Sequence, residues 1–469
     1  MVFSSPVFLF IFFPCFSLIY AVLPRNWRNA FILLGSMWFY VLGVGALTVV
    51  VLGMLLFNWL MAVLIARVNH RGGSRLLLAL AIIADLCPLI FFKYLLFFTH
   101  VFSDITGITP APHHIAFGTI LPLGISFYTF HFISYLIDVY QRQISPEKSL
   151  QKFGIYIFLF PHLIAGPVVR FAEIRSQLPD NKRQLVKRDI FWGLVIFVIG
   201  LSKKTLLADP LGAVVDSVYQ PGIPVTTYSA WLAAICYSFQ IYFDFSGYTD
   251  MAIGMARMMG FRFPRNFNRP YAASSVTEFW QRWHMTLSRW FRDYVYIPAG
   301  GNRGTAFATY RNLFLVFVLC ALWHGAAYTF LVWGIGHGVL IALERARLLN
   351  LRRLRLGSLP VFVLATLLWV PFRAPSMMEA WTHWSAMFAW SKAAPLWVDT
   401  NRSLADPKIM ALLALAALVC LVGDRAFRRF KSFGFRHPRL ISIYCFVLYV
   451  LACISAVEHG FNPFIYFQF

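Results

Sequence analysis

Apolar runs recur from one end of the chain to the other, separated by short polar connections in which the basic residues gather. A helix needs roughly 17 to 25 such residues to cross about 30 Å of hydrocarbon. The pattern predicts spans at Pro6–Leu23, Ala30–Gly45, Leu47–Ala66, Leu76–Phe98, Thr119–Val139, Ile190–Leu207, Tyr228–Ser246, Asn312–Phe330, Leu331–Leu343, Leu359–Phe372, Ile409–Val422 and Ile441–Ala456. The run Phe153–Val169 does not fit as a crossing, because both of its flanks are basic; with Pro161, Gly166 and Pro167 it reads as a re-entrant segment. Broken backbone at membrane depth is tolerated only where it is buried in protein or lines a cavity. Gly247–Gly260 follows a span immediately and is interrupted by glycines, so it reads the same way. The expectation is an all-α polytopic bundle of about 11 to 12 spans with re-entrant segments, a single membrane domain over 1–469. Within it, 262–310 is expected to form a cytoplasmic interfacial helix and a glycine-rich loop. No internal repeat or low-complexity linker divides the chain.

Composition sharpens this picture. Of 469 residues, 59% are apolar and 13% charged, with a mean hydropathy of +0.66. Soluble proteins carry roughly 25% charge, so a soluble protein is excluded. The 41 Lys and Arg against 19 Asp and Glu raise the question of nucleic acid. Their placement argues against it, since the clusters Arg67–Arg75, Arg170–Arg188, Arg262–Arg311, Arg345–Arg355 and Arg425–Arg439 fall between apolar runs, as the positive-inside rule requires. Thr99–Gly118 and Thr205–Tyr228 contain neither Lys nor Arg and are expected outside. The seven cysteines are scattered, with neither a disulfide framework nor a metal-type pair. Met1–Ser5 lacks a positive region, so Pro6–Leu23 is expected to be a retained span rather than a signal peptide.

Ionisable residues inside apolar runs are functional candidates by default. His324, in Cys320-Ala-Leu-Trp-His-Gly-Ala326, stands first. Counted from Asn312 it lies about 18 Å along a helix entered from the cytoplasm, past the midplane. Gly325 and Ala326 are expected to leave space beside the ring. An imidazole there can deprotonate a hydroxyl or a thiol or carry an acyl group; the alternative is a hydrogen-bonded packing histidine.

In Ser275–Tyr294, Ser275 with Glu278 forms a capping-box pattern, and Trp280, Trp283, Leu287, Trp290, Phe291 and Tyr294 form a stripe. This predicts one amphipathic interfacial helix, with His284 at the border of its apolar face. The following Ile297-Pro-Ala-Gly-Gly-Asn-Arg-Gly304 is either a plain turn or, through Gly301, Asn302 and Arg303, a cradle for phosphates of a nucleotide-like donor. Asp244 and Asp250 could fix a histidine tautomer or pair with Arg257, structural pairing being the stronger reading. Lys203 and Lys204 are expected to snorkel or to line a polar funnel. His162, in the re-entrant segment, is a candidate for lining the same cavity. The loop pair His113 and His114 lacks carboxylate or Cys partners, and no metal site is expected. Cys320 and His324, four apart on one helix, permit a thiolate with a histidine base, although a small buried Cys is commonly a packing unit.

Taken together, Tyr242-Phe-Asp-Phe-Ser-Gly-Tyr-Thr-Asp-Met-Ala252, Glu278-Phe-Trp-Gln-Arg-Trp-His284, Gly300-Gly-Asn-Arg303 and Leu322-Trp-His-Gly325 resemble the membrane-bound O-acyltransferase (MBOAT) family in its bacterial alginate O-acetylation branch. Leu121-Pro-Leu-Gly-Ile-Ser-Phe-Tyr128, Phe160-Pro-His-Leu-Ile-Ala-Gly-Pro167 and Tyr310-Arg-Asn-Leu-Phe314 extend the likeness, which runs in order to about Arg373. The resemblance implies the MBOAT fold and an enzyme of the inner membrane. That enzyme takes acetyl from cytoplasmic acetyl-CoA, as substrate and not as a tightly bound cofactor, and delivers it across the bilayer to an exopolysaccharide such as alginate or cellulose. Peptidoglycan, teichoic acid and lipid are the other acceptors found in the superfamily.

The same resemblance carries the family's near-invariant histidine onto His324 and its second polar position onto His284, with Trp323, Asp244, Asp250 and His162 as supporting residues. The outside loops are short, the longest being Ala374–Lys408, and there is no Gly-x-Ser-x-Gly elbow. A periplasmic partner similar to serine esterases and the polysaccharide secretion machinery are therefore implied. A proton-coupled transporter, the competing class, would also need central His and Asp but does not explain the interfacial helix and its loop.

Overall fold

The computed structural model describes residues 3–68, 70–108, 121–389, 397–398, 402–403, 406–421, 429, 432–434, 436–458 and 462–465. His113 and His114 lie outside them, as do parts of the loops Thr99–Gly118 and Ala374–Lys408. Among the described residues the regular structure is helical apart from a two-residue antiparallel ladder, Trp397–Val398 against Arg402–Ser403. Five stretches among the described residues are long and apolar enough to cross a membrane: Arg25–Arg67, Gly72–Thr106, Lys187–Val218, Ala306–His324 and Pro438–Glu458. Phe8–Val22, Leu359–Arg373 and Pro407–Leu421 are shorter apolar helices. The architecture is that of an all-α, multi-pass membrane protein.

The chain packs as two compact units, Met1–Phe197 with Met251–Pro264, and Val198–Asp250 with Arg265–Phe469. In the first, the helix Thr48–Arg67 packs on Arg71–Leu89 and Ile125–Tyr140, and Arg25–Val44 packs on Leu150–Phe158. Every residue from Phe153 to Val169 is buried, and the helix breaks at Leu159 before the short Phe160–Leu163 turn. The Phe160 ring fills a cluster with Phe8, Phe12, Phe16 and Phe39 at centroid distances of 5.1–6.3 Å. Buried polar side chains pair within the unit: Asn58 Nδ2 donates to Asp85 Oδ1 at 2.6 Å, and Asn29 Nδ2 donates to the Leu178 carbonyl at 2.9 Å.

In the second unit, Ala306–His324 and Tyr328–Arg345 form a close pair. A Cβ on Gly334 would come within 2.6 Å of Ala321 Cβ and 2.7 Å of the Phe317 carbonyl oxygen, so only glycine permits this approach. Tyr328–Arg345 packs in turn on Leu359–Arg373, and that helix on Met377–Phe388. The last of these was not expected, although Ser376 caps it by accepting from Glu379 N, the Ser-x-x-Glu pattern that marks a helix start.

Three expectations are corrected. Gly247–Gly260 is not re-entrant, because Thr227–Met258 is one unbroken helix. Its glycines are contact points rather than breaks: a Cβ on Gly247 would lie 2.7 Å from the Gly200 carbonyl, and one on Gly254 would lie 2.5 Å from that of Gly193. Small residues at such spacing let membrane helices approach closely. Second, Thr205–Tyr228, read as a loop, is mostly helix, through the π-helical Lys203–Ala208 and the helix Asp209–Val218, and residues 219–226 form the connection to Thr227–Met258. Third, the helix that carries His324 begins at Ala306 and ends at His324 itself. His324 is therefore about 27 Å along it, at its far end rather than just past the middle.

Candidate active site

The site grows from the segment that follows the Thr227–Met258 helix and leads into Val276–Arg282. Ser275 accepts from Glu278 N at 3.1 Å, as expected of a cap. The Glu278 carboxylate reaches the backbone and hydroxyl of Ser274, each at 2.9 Å, and the Arg282 guanidinium at 2.7 Å. Burial would raise its pKa, but these donors outweigh it and hold the carboxyl below its ordinary value. Glu344, near the end of Tyr328–Arg345, accepts from Val276 N at 2.7 Å and from Thr277 N and Oγ1 at 2.8 Å. The first turn of Val276–Arg282 is thereby stapled to Tyr328–Arg345, which the sequence pattern did not reveal.

The single helix expected over Ser275–Tyr294 is broken. Val276–Arg282 ends at Trp283, His284 adopts φ 41° and ψ 52°, and a second helix runs over Met285–Phe291. A left-handed backbone at a non-glycine residue is strained by about 1–2 kcal/mol and persists only where its surroundings impose it. Asn266 is what imposes it. Its carbonyl accepts from Met285 N at 2.8 Å, and its Oδ1 faces Thr286 N at 3.2 Å, Thr286 Oγ1 at 2.8 Å and His284 Nδ1 at 3.1 Å. Because the Thr286 backbone can only donate, the atom it meets is the amide oxygen. His284 Nδ1 must then be the protonated nitrogen, and Nε2 carries the lone pair. Burial lowers the His284 pKa to about 3, so the ring is a neutral imidazole with a fixed tautomer.

His284 is 1% exposed and His324 2% exposed, and their ring centroids are 6.4 Å apart. Around His324 stand Trp323 at 4.8 Å, Trp333 at 5.0 Å and Phe372 at 5.3 Å. Around His284 stand Phe245 at 4.8 Å and Trp323 at 5.8 Å. The structure thus brings together His324, His284 and Trp323 in a buried box of aromatic rings. The space expected beside Gly325 is not there, since a Cβ on that glycine would run into the Phe330 ring.

Asp244 and Asp250 pair structurally, but with the lysines and not with Arg257. Lys203 Nζ meets Asp250 Oδ2 at 2.6 Å. Lys204 does not snorkel: it is buried and bridges Asp209 and Asp244, each at 2.7 Å. Asp244 Oδ2 also accepts from Ile465 N at 2.9 Å, and the neighbouring Phe464 ring packs on Tyr248 at 4.9 Å. One residue on, Phe245 faces His284, so adjacent positions of the helix serve the ion cluster and the imidazole box. Arg257 instead holds Asp189, at 2.7 Å.

His162 belongs to the first unit, where its Nε2 meets the Tyr156 carbonyl at 2.8 Å and its ring lies 5.0 Å from that of His131. In the glycine-rich loop, the N–H groups of Gly300, Gly301 and Arg303 donate to the Ile297, Tyr296 and Gly300 carbonyls. Asn312 Nδ2 pins the loop through the carbonyls of Ala299 and Gly301, both at 3.0 Å. Those three amides are engaged, while the side chains of Asn302 and Arg303 are exposed.

Residues 146–364 match the family model for MBOAT, the membrane-bound O-acyltransferase family. The chain is 43% identical over 394 residues to the probable alginate O-acetylase AlgI of Pseudomonas aeruginosa, covering 83% of this chain and 75% of that protein. It is 36% identical over 416 residues to a peptidoglycan O-acetyltransferase of Helicobacter pylori, covering 81% and 78%. It is 28% identical over 288 residues to a teichoic acid D-alanyltransferase of Bacillus subtilis, covering 58% and 69%.

Proposed function

The chain belongs to the membrane-bound O-acyltransferase family, and from that premise we propose that it moves acetyl from cytoplasmic acetyl-CoA across the inner membrane for O-acetylation of an exopolysaccharide, alginate or cellulose. The O-acyltransferase activity of the family sets the transporter reading aside. The observation that carries the proposal is His324, buried at the far end of an apolar helix, with a second buried histidine, His284, 6.4 Å away.

His324 is the base in this reading. Its imidazole takes the proton of the acceptor hydroxyl, the hydroxyl oxygen forms a bond to the acetyl carbon, and the carbon–sulfur bond of the thioester breaks. The proton passes from the imidazole to the departing CoA sulfur, so the histidine ends as it began. His284, with Nδ1 anchored on Asn266, orients the reacting groups. Asn302 and Arg303, on the inside-facing basic loop, meet the phosphates of the donor. Alginate O-acetylases among the relatives support a polysaccharide acceptor. A serine-esterase-like periplasmic partner and the polysaccharide secretion machinery complete delivery to the sugar hydroxyl.

The test is His324→Ala at unchanged expression and insertion. Loss of a general base costs about 10²- to 10⁴-fold, and acetyl on the secreted polymer should fall to background. Near-normal acetyl content in that variant would overturn the reading.

A further inference from the structure

His337 lies nine residues into Tyr328–Arg345, is 1% exposed, and plays no part in the mechanism above. The Trp280 indole Nε1 lies 3.3 Å from His337 Nδ1. An indole nitrogen can only donate, so Nδ1 is the acceptor and a neutral His337 carries its proton on Nε2. That Nε2–H meets no hydrogen-bond acceptor among the described residues, and the same holds for the indole N–H of Trp333, which is fully buried. Buried donors are almost always paired. Two such donors four residues apart lie on one face of one helix, about 6 Å apart along its axis.

Their placement says what they serve. The Trp333 ring stands between the two histidines, 5.0 Å from His324 and 5.4 Å from His337. His337 is therefore one ring further from the reacting centre, towards the basic Arg345–Arg355 end, the side from which the acetyl-CoA reading brings the donor. A thioester presented to His324 from that side places its reacting carbonyl at His324. The next oxygen acceptor back along the arm of CoA is the amide carbonyl beyond the two-carbon spacer that follows the sulfur. The rings of Trp280, Trp333 and Trp369 around His337, at 5.1, 5.4 and 6.4 Å, exclude competing water.

Resting on the acetyl-CoA reading, we propose that His337 Nε2–H, seconded by the Trp333 indole, binds the amide carbonyl oxygen of the donor's pantetheine arm and so sets where the thioester stops.

The experiment compares two acetyl donors on the purified full chain in nanodiscs: the N-acetylcysteamine thioester, which has that amide, and ethyl thioacetate, which lacks it. The wild type should prefer the first by about 10- to 100-fold in kcat/KM, chiefly through KM, since the contact is made equally in ground and transition states. His337→Asn keeps an acceptor for Trp280 and removes the Nε2 donor, and the preference should collapse to within about twofold. His337→Gln restores a donor near the Nε2 position and should recover part of it. A purely structural His337 would lower both donors alike in His337→Asn, and that outcome, or an unchanged ratio, overturns the proposal alone. Absence of transfer from both thioesters by the wild type, with His324→Ala indistinguishable from it, would sink the acetyl-thioester reading and this inference with it.

Discussion

The Asn266 side chain clamps the break at His284, and removing it gives the sharpest test of how the site is assembled. Asn266 Oδ1 serves Thr286 N, Thr286 Oγ1 and His284 Nδ1. At roughly 1 kcal/mol net for each buried hydrogen bond, with more for a backbone N–H left without its acceptor, the clamp contributes about 3–4 kcal/mol. The left-handed backbone at His284 costs about 1–2 kcal/mol. The margin is about 2 kcal/mol in favour of the broken form, and it resides in the amide. Asn266→Ala reverses the sign: the cheaper course is to let Trp283 and His284 become helical, joining Val276–Arg282 to Met285–Phe291 and turning the imidazole away from His324.

A misplacement of about 1 Å at a reacting group can cost 10²-fold. Acetyl transfer from labelled acetyl-CoA by the purified variant should therefore fall about 100-fold in kcat, to the level of His284→Ala. Asn266→Asp keeps an oxygen at the Oδ1 position and should retain more activity than Asn266→Ala. The 276–291 segment should gain helix by circular dichroism without loss of the monodisperse folded protein. An Asn266→Ala variant within threefold of wild-type kcat would show that the break stands without its clamp, and the strain argument would fail.

Two further outcomes follow from the same geometry. Cys320 is buried one turn before His324 on the same helix and acts as a small apolar packing unit, so Cys320→Ala should lose at most a few-fold in transfer; abolition as complete as in His324→Ala, in folded protein, would install a Cys320–His324 pair instead. His284, on the interfacial segment, has its pKa lowered by burial to about 3, so its contribution to stability is complete above the unfolded value near 6.5 and is lost as pH falls towards 3. About 2 kcal/mol should disappear between pH 8 and pH 5, read as a drop in Tm that is shallower in His284→Gln; equal acid sensitivity of the two proteins would refute it.

What the sequence made legible was what hydropathy and local pattern encode. Long apolar helices appear where the runs are, and the Ser275 cap and the burial of His284 and His324 follow from neighbours within a turn or two. The errors share a cause. Gly247 and Gly254 read as interruptions because a glycine's local meaning is flexibility; in a membrane helix their meaning is contact, with Gly200 and Gly193 on a helix more than forty residues away. Lys204 read as a snorkelling lysine because its carboxylate partners are local only in part, Asp209 being five residues on and Asp244 forty. The apolar stripe of Ser275–Tyr294 continues straight through His284, so periodicity reports one helix and has no means of reporting a break imposed by Asn266 from outside the stripe.

His337 is the instructive omission, because the rule that singled out His324 applies to it equally. It is an ionisable residue in an apolar helix, which membrane burial makes costly unless it has work to do. Small neighbours do not distinguish the two in the sequence, since Gly325 and Ala326 follow His324 while Gly336 and Gly338 flank His337. Beside His324 the structure shows packing, with Phe330 seated against Gly325. What distinguishes them chemically is the partner of Nδ1, a Trp280 indole that fixes the His337 tautomer from a different helix. His284 is fixed in the same manner from Asn266 but in the opposite sense, with Nδ1 protonated and Nε2 left as the lone pair. One histidine is thereby made a donor and the other an acceptor. That division of roles is set by two residues, Trp280 and Asn266, whose own sequence surroundings carry no sign of it, so a buried histidine's chemistry in this protein is decided by what its second nitrogen meets.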